Sequence, residues 1–141
     1  MLRSAWLALM LSNSALAEQV AHWGNYDIHY NAFSSSSLSA EIAKQYGIIR
    51  GGNQGVVNIV VRKKKDNGDG PAQATVSGTV HNLLSQRNAL KFREAREEEA
   101  IYYLAPFRFD NEDTLTFKIT VQPAGEGDSH EFSFNRTLYT K

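Results

Sequence analysis

The sequence predicts an all-β fold: a single immunoglobulin-like antiparallel β-sandwich of about seven strands with one short helix. Three observations predict it. Long stretches alternate apolar and polar residues with a period of two, the signature of strands buried on one face. Clusters rich in Gly, Asn, Asp and Ser separate those stretches at short, fairly regular intervals, as turns do. The chain has 141 residues, room for one domain, and its hydrophobic content of 42% suits a packed core rather than a disordered polymer.

Taken in order, Gln19 to Asn25 reads as a loosely held N-terminal segment with Trp23 tucked against the body. In the stretch Tyr26 to Phe33, Tyr26, Ile28 and Tyr30 alternate with Asp27, His29 and Asn31, which predicts the first half-buried strand. The serine run 34–37 is a loop. A short helix over Ala40 to Tyr46 follows: Ser39 is an N-cap, Glu41 lies in the first turn and Gly47 stands at C′. Leu38, Ile42 and Tyr46 share its sticky face, and two turns must dock to persist in water. The second strand is Val56 to Arg62, with Val57, Ile59 and Val61 on one face. Lys63 to Pro71 reads as a polar turn. Ala72 to Leu84 holds the third strand, where Gly78 marks a bulge or a close backbone approach. Near the C-terminus, Leu115, Phe117, Ile119 and Val121 alternate cleanly. The last strand carries Phe132, Phe134 and Leu138, interrupted by Arg136.

Between these lies Asn88 to Asp110, read as two strands joined by an acidic turn at Glu97, Glu98 and Glu99. Its second strand, Ala100 to Phe107, is apolar on both faces: Ile101, Tyr103, Ala105 and Phe107 on one, Tyr102, Leu104 and Pro106 on the other. Such a strand needs cover on both sides. Pro106 cannot donate to a ladder, so the regular strand is expected to bulge or end there.

The first seventeen residues read as a signal peptide. Arg3 supplies a basic n-region, Ala5 to Leu11 a short apolar core, and Ala15-Leu16-Ala17 an A-x-A cleavage site. The apolar run is well short of the roughly 20 residues that span a bilayer. The expected division is a signal peptide over 1–17, cleaved after Ala17, and a β-sandwich domain over 18–141, exported to the periplasm with no integral membrane segment in the mature form. The chain has no cysteine, so in an oxidising compartment the core holds the fold without disulfides. The mature chain has fourteen basic and fifteen acidic residues, a net charge of −1, which argues against nucleic acid as a partner.

Several blocks together carry a resemblance. They are Tyr26 to Phe33, Tyr46-Gly47-Ile48, Gly55 to Ile59, Phe92 to Glu97 and Ala100 to Phe109. They resemble a family of exported proteins of Gram-negative bacteria known as domain of unknown function 4426. The resemblance spans nearly all of the mature chain. It implies an export signal and a small β-rich domain, and it implies no activity and no catalytic residues to carry over. The basic turn at Lys63 to Lys65 reads as a local elaboration.

Motifs for chemistry are weak. His22, His29, His81 and His130 have no metal-ligand spacing, and no metal or cofactor is expected. The run Asp66-Asn67-Gly68-Asp69-Gly70 lacks side-chain ligands at the third and fifth positions of a calcium loop and reads as a hairpin turn. No Gly-x-Ser-x-Gly elbow and no phosphate loop is present. The acidic turns, with Arg93, Arg96 and Arg108 near in sequence, read as solvated rather than catalytic. The sequence therefore predicts a non-enzymatic binding or accessory module of the cell envelope, partnered by a protein or peptide. The alternative is a periplasmic carrier of a small ligand or metal. The expected binding surface borders the doubly apolar strand and comprises Tyr102, Tyr103, Arg93 and Arg108, because tyrosine and arginine most often anchor interfaces.

Overall fold

The computed structural model describes residues 19–140, so the expected signal peptide and its cleavage site lie outside the described residues. Ten strands, one α-helix and one 3-10 turn are present among them: β1 (Gln19–Trp23), β2 (Tyr26–Ser34), the 3-10 turn (Ser35–Ser37) within the serine run read as a loop, α1 (Ala40–Gln45), β3 (Gln54–Lys65), β4 (Gly68–Pro71), β5 (Ala74–His81), β6 (Arg87–Leu90), β7 (Arg93–Arg96), β8 (Ile101–Arg108), β9 (Asp113–Pro123) and β10 (His130–Leu138). Two antiparallel sheets face each other. One runs β1-β2-β3-β8-β7, with β4 paired to the far half of β3; the other runs β10-β9-β5-β6. The all-β sandwich with one short helix is thus observed.

Its extra strands come from segments read as irregular. Gln19 to Trp23 is not loose but forms β1, in register with β2 from Gln19 opposite Tyr30 to Trp23 opposite Tyr26. Gly24, with φ of +59°, makes the tight turn between them. Lys63 to Pro71 is not all turn. β3 continues to Lys65, and β4 returns along it with Lys65 opposite Gly68, so only Asp66 and Asn67 form the turn. Polar side chains on both strands hid this hairpin from a hydrophobic-period reading.

The larger correction concerns Asn88 to Asp110. Its first arm is not one strand. β6 pairs with β5 in the second sheet, the chain crosses at Lys91 and Phe92, and β7 pairs with β8 in the first sheet. Leu90 and Phe92 face the interior on either side of that crossing. The second arm, β8, continues through Pro106 to Arg108. A proline is tolerated there because β7 begins at Arg93, opposite Leu104, and among the described residues no strand pairs with that flank of β8 beyond it.

The inner core fills the space between the sheets. Ile28, Val57, Ile59 and Val61 from the first sheet meet Phe117, Ile119 and Val121 from the second, all fully buried. Phe107 packs edge-on to Phe117 with centroids 5.1 Å apart. Gly55, opposite Phe107 in the ladder, has no room for a side chain: a Cβ there would lie 2.3 Å from the Phe107 ring. Gly78 is a close backbone approach, as its sequence context suggests, with Lys118 O 2.4 Å from where a Cβ would stand.

A second apolar cluster lies on the outer face of the first sheet. Phe33, Val56, Val60, Tyr102 and Leu104 meet Leu38, Ile42, Ala43 and Ile48 from the segment carrying α1. Ser39 Oγ caps the helix by accepting from Ile42 N at 3.1 Å, and Gly47 closes it with φ of +70°. The six-residue helix is thus stable only as a lid.

Candidate functional site

The four residues expected to form a binding surface are separated by the fold. Tyr103 points inward, is 4% exposed, and its hydroxyl accepts from Ala74 N at 2.8 Å. That contact ties the first sheet to the start of β5, and burial holds the phenol above its ordinary pKa. Tyr102 points to the opposite face and is 2% exposed beneath the helix lid. Neither tyrosine reaches solvent, so the expected aromatic surface is corrected: the doubly apolar strand is core on both faces. Arg93, on β7, donates from Nη1 to the Tyr46 carbonyl at 3.1 Å and fastens the end of α1. Beside it the Tyr46 hydroxyl donates to Glu97 Oε2. Burial, then the Glu97 carboxylate, push that phenol up to about 12.

Arg108 lines a cavity. It closes β8 at the end of the sandwich where the β5–β6 and β8–β9 connections meet. There the sheets part around a space of about 220 Å³. Its floor is apolar core: Val80, Phe109 and Leu115, each 3% exposed. Its rim is polar, comprising Asn82, Gln86 and Asn88 with Arg108, Asp110 and Asp113. Asp113 Oδ2 accepts from Asp110 N at 3.0 Å and holds the β8–β9 turn. Among the described residues Arg108 has no carboxylate at ion-pair distance. His81 also contributes to the lining, and its Nδ1 is buried with no hydrogen-bond partner.

The β5–β6 connection beside this mouth is rigid by construction. Asn82 Oδ1 accepts from Leu84 N and from Gln86 N, each at 3.0 Å, and Asn82 Nδ2 donates to Gln86 Oε1 at 2.7 Å. Ser85 N donates to Asn82 O, and Ser85 takes a φ of +64°. This Asx-centred turn presents Leu83 and Leu84 to solvent, 79% and 80% exposed. Sequence reasoning missed them by placing both inside a strand region. The available signal was local: Asn82 and Ser85 flank the pair, and both residue types favour turns.

The histidines do not converge. His22 Nδ1 lies 2.6 Å from Asp27 Oδ1 at an exposed edge, and His130 stacks between Trp23 and Phe132. Among the described residues no group of three His, Asp or Glu side chains is placed to hold a metal ion. Among them also, no helix is long and apolar enough to cross a membrane. The run Asp66 to Gly70 is a hairpin, in which Asp69 pairs with Arg62 at 3.0 Å.

Fold and mouth define a small two-sheet β-sandwich with one closed face and one open loop end. Residues 20–141 match the family described as domain of unknown function DUF4426, and the chain belongs to that family. A crystal structure of a DUF4426 family protein from Pseudomonas aeruginosa PAO1 is similar with a TM-score of 0.76 and 39% identity, covering 86% of this chain and 94% of that one. FetP from a uropathogenic Escherichia coli strain, recombinantly expressed in the periplasm, is similar at a TM-score of 0.64 and 8% identity, covering 88% and 95% of the two chains. A copper-bound FetP variant gives 0.59 and 9%, covering 87% and 95%. At these identities FetP shares the fold alone. No curated protein matches the sequence.

Proposed function

We propose that the protein is a non-catalytic binding module of the bacterial cell envelope, acting in the periplasm on a protein or peptide partner. The observation that carries this reading is the loop-end mouth. Two leucines about four-fifths exposed are held rigidly beside a cavity with an apolar floor and a polar rim. A turn whose backbone is already fixed loses little further backbone entropy on binding, which is how preorganised contacts gain affinity. The export-like N-terminus supports the location, as does the likeness to FetP, which was expressed in the periplasm.

Cavity size favours a partner over a carried small molecule. Ligand pockets usually enclose about 300–1,000 Å³. At about 220 Å³ this one suits a single inserted side chain. The copper-bound FetP variant motivates the metal-carrier alternative, but among the described residues no three His, Asp or Glu side chains are grouped to hold a metal ion.

The test is capture from envelope extracts with the purified protein and with a Leu83→Ser/Leu84→Ser variant. The expected result is a partner retained by the first and lost by the second. Identical capture by both would overturn the role of the mouth. A stoichiometric small molecule or metal in the native mass spectrum of the periplasmic protein would favour the carrier instead.

A further inference from the structure

The margin of the sandwich that runs from the mouth along β6 and β7 has three properties that belong together. First, β6 ends its sheet. It pairs with β5 on one side and, among the described residues, with no strand on the other, and Arg87, Asn88 and Ala89 are exposed. An edge strand offers unpaired backbone donors and acceptors to an incoming chain. Second, the margin is basic. Residues 86–93 carry Arg87, Lys91 and Arg93 and no acid, a local charge of +3; beyond them Arg96 is outnumbered by Glu94 and the turn Glu97, Glu98 and Glu99, so the basic excess lies at the β6 end. Glu94 pairs with Arg96 at 2.9 Å. Among the described residues Arg87, Lys91, Arg93 and Arg108 have no ion-pair partner. Arg93 spends one N–H on a carbonyl, which leaves its charge uncompensated. Third, the margin begins at the apolar tip Leu83–Leu84 and at the cavity, to which β6 contributes Asn88.

We infer that this margin docks an acidic, extended segment of a partner protein, added as a strand along β6, with one apolar side chain seated in the cavity and another lying on Leu83 and Leu84 beside it. The inference rests on the binding-module reading and specifies its partner. Strand addition supplies affinity through main-chain hydrogen bonds and specificity through alternate side chains. Register follows from the fold. Val80, opposite Asn88, faces the interior, so a residue beside Asn88 on the added strand points to the mouth, and its neighbours point outward past Arg87. The uncompensated cations select an acidic segment and repel a second copy of this edge, since like charges at an edge discourage self-pairing. Asp110 and Asp113 line the cavity next to Arg108, on the β8–β9 side, and Asp113 Oδ2 accepts from Asp110 N. They confine the favoured anion to the β6 side.

The test is a synthetic array of extended peptides of about ten residues, a common strand length, graded from acidic to basic at constant apolar content. Acidic peptides alternating with Leu or Val are expected to be selected, and added salt to weaken them. Arg87→Ala and Arg108→Ala, both at exposed positions, are expected to weaken binding by about tenfold together. Leu83→Ser/Leu84→Ser is expected to abolish it, and bound peptide should protect the amides of residues 87–90 from hydrogen exchange. Selection of neutral or basic peptides, protection at another edge, or no selection at all overturns the inference. If leucine-dependent envelope capture persists while acidic peptides fail, the binding-module reading stands and only this inference falls. If both fail, both fall.

Discussion

The outer face of the first sheet and the loop-end mouth both begin as apolar surface, and they are finished in opposite ways. On the outer face, Tyr102, Leu104, Val56 and Val60 are covered by α1 and its flanking loop, and the remaining polar groups are spent on fastening the lid. At the mouth, buried Val80, Phe109 and Leu115 floor a cavity that no segment covers among the described residues, Arg108 has no ion-pair partner among them, and two leucines stand in solvent. An apolar excess in a strand is therefore no guide to a binding surface when a neighbouring segment can close over it. The better guide is a place where the fold has left both apolar area and charge unspent.

Phe117→Ala tests the frame on which both regions hang. Phe117 is fully buried, touches Phe107 and stacks on Phe134 at 4.9 Å. Truncation leaves a cavity between the sheets and is expected to cost about 3–5 kcal/mol in urea unfolding. A loss under about 1 kcal/mol would mean that the sheets do not rely on this contact.

Ile42→Ala addresses the closed face. Ile42 is 9% exposed and is the largest apolar side chain that α1 itself buries. The expected cost is roughly 2–4 kcal/mol. A change within about 0.5 kcal/mol would make α1 a surface ornament and erase the contrast between the two regions.

Alkaline titration sharpens the same point. Tyr46 has its pKa raised to about 12 by burial and by Glu97. A raised folded-state pKa means that the neutral phenol is the form the fold favours. Its contribution is fully present below the ordinary tyrosine value near 10 and is lost as pH climbs from there through about 12. The segment carrying α1 should accordingly loosen over that window, seen as faster hydrogen exchange at Ile42 and Ala43. Tyr46→Phe should remove the step. A lid that loosens over the same window in the Tyr46→Phe protein would assign the effect to another group.

How much was legible beforehand follows from the same physics. The period-two runs in β2 and β9 revealed themselves because apolar residues facing the core are the signal read, and β3, buried on both faces, showed as a run of Val and Ile. The helix was visible through Ser39 and Gly47, whose roles at its ends are local. β4 was hidden because a hairpin made of Lys, Asp and Gly buries little. The break between β6 and β7 was hidden because a sheet crossing preserves the inward phase of Leu90 and Phe92. Of the candidate site, Arg108 and Arg93 were picked out by residue type. The mouth itself was not, since it is assembled from β5, β6, β8 and β9, and no single stretch of chain contains it.

The smallest expected effect separates the two regions most sharply. Leu83 and Leu84 are as apolar as Leu104, but they make no core: at about four-fifths exposure they have almost no buried area to lose. The turn that carries them is held by Asn82 through its own side chain and backbone, none of which Leu83→Ser/Leu84→Ser removes. Unfolding free energy should therefore stay within about 0.5 kcal/mol of the parent, as for surface changes in general. If instead the double variant lost several kcal/mol, the leucines would be packed in solution against something within the chain. The mouth would then be closed like the outer face, and the difference on which its role as a binding site depends would disappear.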